Sequence, residues 1–412
     1  QTARIEAQSV TLRNSRGIAF SNAPALAGGV VPAPGDGALQ VAGQTVSLGD
    51  GAVEVKGFNN ATIAAQRELL AAGEGALNTT GSLHVAATRI AAAPGADYAI
   101  AVASGAFSTA LPAVSATGPA AAGLGGQLNV TAPTINHAGY FDLPSGVLEL
   151  KATGAAGADG QGSVTLAAGS QINTAGRTEQ FFDVGVPTRG GAVALSSANA
   201  SVVIGANALV DVSGADGADA GALSIRAANG SAQIDGILKG GANPGGAAPR
   251  QGEFVLDVAT LVNFNQLNQL LNTTTDGAGR IVSGGFTESR DIRVRSGDVS
   301  IGTTADPNVT VTARRFQLAA DNGDIDVYGT INASGDKGGQ VTLLAGRGAN
   351  PDAGDVMVHG GARIAAHGAE AVAAPFGTRG EGGRVMLGSA AGGGQVNIAA
   401  GSPINVAGAG AA

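Results

Sequence analysis

Cysteine and tryptophan are both absent from this chain of 412 residues. Without cysteine there is no disulfide and no thiolate metal site to staple the fold. The absence also suits a chain that must cross a membrane extended, with nothing cross-linking it beforehand. Aromatic residues reach only 3% and charged residues 13%, about half the ordinary charged share. No basic cluster interleaved with aromatics occurs, so nucleic-acid binding has no support. No run of 18 apolar residues exists, so no segment is expected to span a membrane as a helix. The opening residues, Gln1-Thr2-Ala3-Arg4-Ile5, lack the basic-then-apolar design of a signal peptide. Either a signal has been removed or the chain comes from inside a longer one. A Ser/His/Asp series, a His-Glu-x-x-His helix and a nucleotide fingerprint are also missing. The expectation is a protein that is not an enzyme and uses no cofactor.

What is present is small and apolar. Glycine supplies 68 residues and proline 15, while hydrophobic residues make up 44%. Such a glycine and proline share is compatible with disorder, but the apolar residues fall in ordered alternation, which a disordered chain does not need. A core of small residues with few aromatics suits a narrow solenoid, whose interior has little room for large rings. The net charge is −8 and the isoelectric point is near 5.0. Acidic residues are scattered singly rather than gathered in a tail.

The organising feature is a short strand, a glycine and another short strand. Gly338-Gly339-Gln340-Val341-Thr342-Leu343-Leu344-Ala345 is followed by Gly354-Asp355-Val356-Met357-Val358-His359-Gly360 and by Ala362-Arg363-Ile364-Ala365-Ala366-His367-Gly368. Each strand alternates at period two and ends in glycine or a polar turn. Copies recur at Val193-Ala194-Leu195, Val202-Val203-Ile204 and Leu209-Val210-Asp211. Others lie at Leu223-Ser224-Ile225, Ala232-Gln233-Ile234 and Ile237-Leu238, and at Phe316-Gln317-Leu318, Ile325-Asp326-Val327 and Ile331-Asn332-Ala333. Leu39-Gln40-Val41, Leu83-His84-Val85, Leu128-Asn129-Val130 and Val164-Thr165-Leu166 begin weaker copies upstream.

Three short strands per repeat cannot bury their apolar faces alone. Wound into a three-sided coil, each pairs in parallel with its equivalent in the next coil, and inward Val, Ile, Leu and Ala form one column. Glycine serves the sharp corners. The spacing predicts one continuous all-β solenoid over residues 1–412, of roughly 13 coils. At about 4.8 Å per coil it would extend on the order of 60–70 Å. Two insertions are expected. Val258 to Asn272 reads as an amphipathic helix with Phe264, Leu267, Leu270 and Leu271 on one face, and Gly368 to Gly383 reads as an extended loop. Asp183 to Gly190 reads as a further loop. Both ends fall inside the repeat without a polar cap, as in a fragment of a longer solenoid or a subunit that stacks end to end.

The repeat Gly323-Asp324-Ile325-Asp326-Val327-Tyr328-Gly329-Thr330-Ile331-Asn332-Ala333-Ser334-Gly335 resembles the filamentous haemagglutinin-like exoproteins of two-partner secretion. So do Gly338-Gly339-Gln340-Val341-Thr342-Leu343 and the stretch Gly285-Phe286-Thr287-Glu288-Ser289-Arg290-Asp291-Ile292-Arg293-Val294-Arg295-Ser296-Gly297-Asp298. The likeness is clearest from about 160 to 408. It implies a right-handed parallel β-helix and export through an outer-membrane transporter partner. It also implies a structural or adhesive place on the surface of a Gram-negative bacterium, or secretion from it, with host or neighbour-cell glycans as partners. A self-assembling extracellular filament subunit and a β-helix polysaccharide lyase or hydrolase are the other readings. The family's secretion domain carries Asn-Pro-Asn motifs. This chain has only Asp306-Pro307-Asn308, which places it downstream of such a domain.

Several constellations are candidates for chemistry. Asp298, Asp324 and Asp355 hold equivalent places in successive Gly-Asp units and would stack near one corner, where they could bind a cation or serve a hydrolase. Ser201, Ser231 and Gln395 hold the same place elsewhere, which favours turn capping. His359 and His367 end neighbouring strands and, with Asp355, sketch a metal site lacking a further strong ligand. His84 and His137 stand alone and read as surface residues. Gly154-Ala155-Ala156-Gly157-Ala158-Asp159-Gly160 is an incomplete phosphate or calcium loop and reads as a corner. Arg290, Arg293 and Arg295 form a small basic cluster that would take an anionic glycan or pair with Glu288 and Asp291. Asn78-Thr79-Thr80 is a glycosylation triplet of the kind expected by chance.

Overall fold

A computed structural model of the chain describes residues 2–14, 19–21, 35–113, 123–157, 161–245, 248–348, 353–368, 381–389 and 394–408. Their contacts divide into two units, Gln1–Lys239 with Asn243–Pro249, and Gly240–Ala242 with Arg250–Ala412. Both units are all-β and built from parallel strands, with a single α-helix among the described residues.

In the first unit the strands stack as three parallel ladders. One runs through Gly51–Lys56, Glu74–Thr79, Asp97–Val102, Gln127–Ala132, Val147–Ala152, Ala192–Ser197 and the start of Ala222–Ile234. Its register is strict. Val53, Leu77, Ile100, Val130, Leu150, Leu195 and Ile225 face one another in turn and all are buried. The second ladder passes through Ser82–Ala92, Ala106–Ala110, Thr134–Ala138, Val164–Leu166 and Val202–Ile204. The third passes through Tyr140–Asp142, Gln171–Asn173, Leu209–Asp211 and Ile237–Lys239. The early copies, which look weak in sequence, are fully formed. Gly35–Leu48 and Phe58–Ala71 are 14-residue strands that carry the second ladder round a bulged corner into the third.

The second unit repeats the plan. Glu253–Thr260, Ser289–Val294, Arg315–Ala320, Gln340–Arg347 and Arg384–Gly388 form its first ladder. Val299–Ile301, Ile325–Val327, Val356–Val358 and Val396–Ile398 form its second, and Thr310–Thr312, Thr330–Asn332, Arg363–Ala365 and Ile404–Asn405 its third. Inward residues are mostly aliphatic, and the period-two alternation turns them to one face. Burying each is worth roughly 1.5–3 kcal/mol.

The corners have their own chemistry. Where the third strand ends, an Asx side chain accepts the backbone N–H two residues on. This occurs at Asn173 to Ala175 (3.0 Å), Asp211 to Ser213 (3.0 Å), Asn332 to Ser334 (3.1 Å) and Asn405 to Ala407 (3.1 Å). These bonds satisfy donors that the departing chain would otherwise leave unpaired.

The insertions differ from their expected form. The helix spans Phe264–Leu271, capped by Asn263, whose Oδ1 accepts from the Gln266 N–H at 3.0 Å. Val258 to Thr260 end the strand Glu253–Thr260 instead, because Phe254, Leu256 and Val258 alternate inward. Phe264, Leu267 and Leu271 are buried as expected; Leu270 is only half-buried, and Asn268 takes the fourth buried position. The expected loop Asp183 to Gly190 is largely the second arm of an antiparallel hairpin, Thr178–Phe181 with Val184–Pro187. Its base is tied down by Thr188. The Thr188 hydroxyl donates to the Arg177 carbonyl and accepts the Arg177 N–H, each at 2.9 Å, and lies 2.8 Å from the Ser145 hydroxyl. Gly368 forms an isolated parallel bridge with Gly335, while residues 369–380 of the expected loop lie outside the described residues.

Candidate functional site

The aspartate column forms, and one oxygen of each carboxylate accepts from backbone. Asp298 Oδ1 accepts the Asp324 N–H at 2.9 Å, and Asp324 Oδ1 accepts those of Gly354 and Asp355 at 2.7 and 2.9 Å. Asp355 Oδ1 accepts the Gln395 N–H at 2.7 Å. Each side chain therefore bridges to the backbone of the next coil rather than capping its own turn. Ser201 does the same for the Ser231 N–H at 3.1 Å. The column is a row of cross-coil clamps.

His359 engages Asp326. Its Nε2 lies 2.7 Å from Asp326 Oδ1, and its ring stacks on Tyr328 at 3.8 Å and 6°. The His367 backbone carbonyl accepts from the Gly335 N–H. Among the described residues no group of three or more His, Asp and Glu side chains is placed to hold a metal ion. Two open grooves of the first unit, of 450 and 550 Å³, are lined mainly by small and amide-bearing residues such as Gln8, Gln44 and Gln66, or Thr134, Asn136 and Gln161. Of Gly154 to Gly160, residues 158–160 lie outside the described set.

The arginine cluster comes apart. Arg293 grips Asp321 at 2.8–3.0 Å and Arg295 grips Asp257 at 2.8–2.9 Å. Glu288 pairs with Arg314 instead, at 3.3 Å. Arg290 faces inward and is 1% exposed. It stands in register between Phe254 and Phe316. Its guanidinium donates to the Phe286 carbonyl (2.7 Å), to Asn268 Oδ1 (2.7 Å) and to Asn272 Oδ1 (2.9 Å). Burial lowers its pKa to about 9, so it stays charged at neutral pH. The same two asparagines donate to the Thr310 carbonyl, both at 2.9 Å. Arg290 thus fastens the helix to the coil beneath it. Gly284 allows this close approach. Its φ is 65°, and a Cβ there would lie 1.7 Å from the Asn272 carbonyl oxygen.

His137 is also an interior residue, not a surface one. It is 0% exposed and stands between Thr109 and Leu166 in a column that includes Val41, Ile63, Val85 and Ile204. Its Nε2 lies 3.0 Å from the Gln171 carbonyl and its Nδ1 2.7 Å from the Thr109 hydroxyl. A carbonyl only accepts, so Nε2 carries the proton and Nδ1 accepts from the hydroxyl. Burial outweighs the carbonyl bond and lowers the pKa to about 4. His84 is half-buried, with Nδ1 2.9 Å from the Ser108 hydroxyl.

Sequence reading also missed a buried ionic group, Glu68 with Arg89 at 2.5 Å, and Arg89 with Asp142 at 3.7 Å. Asn173 donates to Asp142 at 2.9 Å. These contacts lock neighbouring coils. Comparison of the chain with protein-family models, curated proteins and solved structures gives no match. Among the described residues no helix is long and apolar enough to cross a membrane.

Proposed function

We propose that the chain is a structural or adhesive segment of a bacterial surface or secreted filament, wound as a right-handed, three-sided parallel β-helix. The observation that carries this reading is the strict register of the inward columns, such as Val53 through Ile225. Within each unit the described strands pair in parallel through backbone hydrogen bonds, and some polar side chains serve the same end. Asp298, Asp324 and Asp355 each clamp one coil to the next through a carboxylate oxygen. Such a lattice resists bending and pulling, which is what a shaft requires.

The repeat style supports the likeness to filamentous haemagglutinin-like exoproteins and, with it, export through an outer-membrane transporter to a Gram-negative cell surface. Absence of cysteine fits that passage. Host or neighbour-cell glycans, and further copies of the chain, are the partners the reading calls for. Electron microscopy of the purified 412-residue chain over a range of concentrations tests it. Elongated particles of fixed length support a shaft. Fibres that lengthen with concentration support the self-assembling form. Compact globules overturn the reading.

A further inference from the structure

The hairpin Thr178–Pro187 reverses the rule that the coils obey. Paired residues of an antiparallel ribbon share a face, so Phe181 opposite Val184 and Glu179 opposite Val186 lie together. On that face Phe181 is 60%, Val184 57% and Val186 43% exposed, and at the turn Phe182 is fully exposed. Phe182 also has a φ of 57°, a left-handed conformation that bulky residues rarely adopt and that glycine adopts without strain. Folding gains nothing from a phenylalanine here. Its side chain is in water and its backbone is strained. Such an outlier points to a role outside the fold.

The base and the tip differ in charge. Arg177 at the base is ion-paired with Glu179, whereas Asp183 at the tip has no ion pair among the described residues. The tip therefore offers apolar rings beside one uncompensated carboxylate. The four apolar side chains present roughly 400–500 Å², taking about 200 Å² for each aromatic. That is well short of the ~800 Å² per partner of a stable protein pair, so a second copy docked on this face alone would not hold. Binding to a lipid surface instead scales with whatever apolar area enters the headgroup–acyl boundary.

We propose that this hairpin tip docks on a zwitterionic, phosphatidylcholine-type bilayer surface, with Phe181 and Phe182 entering the headgroup–acyl boundary and Asp183 facing the quaternary ammonium. The exposed ring adds to that pairing, since aromatic faces attract quaternary ammonium groups. An anionic surface would repel Asp183 instead. The inference deepens the adhesive side of the proposed function, and rests on it only for bringing the hairpin to a neighbouring cell.

The chain contains no tryptophan, so Phe182→Trp in the full chain introduces a single reporter at the tip. Its fluorescence is followed on titration with phosphatidylcholine vesicles and, separately, phosphatidylglycerol vesicles, with flotation as the second readout. A blue shift and flotation with phosphatidylcholine, weaker with phosphatidylglycerol, are expected. Phe182→Gly, which relieves the backbone and keeps the fold, is expected to lose roughly tenfold or more in flotation affinity. Asp183→Asn is expected to erase the difference between the two lipids. No shift and no flotation with phosphatidylcholine overturns the proposal and leaves a protein cleft as the occupant. Equal binding of the unaltered tip to both lipids overturns the choice of surface. Elongated particles that ignore lipid sink this inference alone, whereas lipid binding by compact particles sinks the filament reading alone.

Discussion

The helix Phe264–Leu271 and the hairpin Thr178–Pro187 are both insertions between strands of a coil, and they handle apolar residues in opposite ways. The helix lays Phe264, Leu267 and Leu271 inward, with the Phe264 ring 6.3 Å from that of Phe316. The hairpin leaves Phe181, Phe182, Val184 and Val186 in water. Both are rooted by polar groups that reach inside. Arg290 turns into the coil to hold Asn268 and Asn272. His137 donates to the carbonyl of Gln171, on the strand that leads into the hairpin. The lesson lies in what each root offers. A guanidinium presents several donors in one plane and can pin a whole helix by its asparagines. An imidazole pins only the strand before the hairpin, and the hairpin beyond its base is free to project.

The largest effect is expected at Arg290. Replacing it with alanine leaves the buried Asn268 oxygen, the half-buried Asn272 oxygen and the Phe286 carbonyl without their donor, and a void between Phe254 and Phe316. We expect Arg290→Ala to lower the stability of the second unit by about 3–5 kcal/mol, read from the urea midpoint. Proteolysis within residues 262–273 should precede cutting elsewhere. Arg290→Lys, which cannot bridge three acceptors in one plane, should recover only part of the loss. A midpoint unmoved by Arg290→Ala would mean the helix holds through Phe264 and its leucines alone.

Much of the fold was legible because it is written at period two. Val53, Leu77 and Ile100 differ in context but share the parity that turns them inward. The misreadings came from treating residues by type instead of parity. In Ser289-Arg290-Asp291-Ile292-Arg293-Val294, Arg290 shares the face of Ile292 and Val294, while Arg293 shares that of Asp291. The alternation alone separates Arg290 from Arg293 and Arg295. In Thr134-Ile135-Asn136-His137-Ala138, His137 shares the face of Ile135. The partners were not legible. Arg293 finds Asp321 and Arg295 finds Asp257, 28 and 38 residues away, because a neighbour in space is one coil away and corner lengths vary. The hairpin was hidden for a related reason. Phe181 and Phe182 are consecutive, so a strand cannot bury both, and the turn between them and Val184 has no glycine.

The next effect is a pH dependence rooted at His137. The folded pKa is about 4 against an ordinary 6.5, so the folded state binds fewer protons than the unfolded state between these values. The contribution is complete above pH 6.5 and is lost as pH falls towards 4. The loss is on the order of 3 kcal/mol. Carboxylates also titrate at the acid end, so the comparison must be with His137→Leu, which matches the aliphatic neighbours in its column. The variant's stability should be flatter between pH 6.5 and 4, read from urea midpoints across that range. Identical slopes would show that the imidazole does not govern how the strand before the hairpin is held.

The smallest stability effect belongs to Phe182, and its sign sets the two insertions apart. Truncating a residue that the fold uses loses stability, as at Arg290. Phe182 has no contact to lose, since its side chain is fully exposed, and its φ of 57° favours glycine. Glycine adds unfolded-state freedom, which offsets part of the relief. Phe182→Gly is therefore expected to leave the thermal midpoint unchanged or to raise stability by up to about 1 kcal/mol. A clear loss would mean that the ring packs against something in solution, and would make the hairpin a second buried insertion like the helix. A neutral or positive change, beside a loss of vesicle binding in the same variant, would separate the residue's contribution to binding from its contribution to the fold.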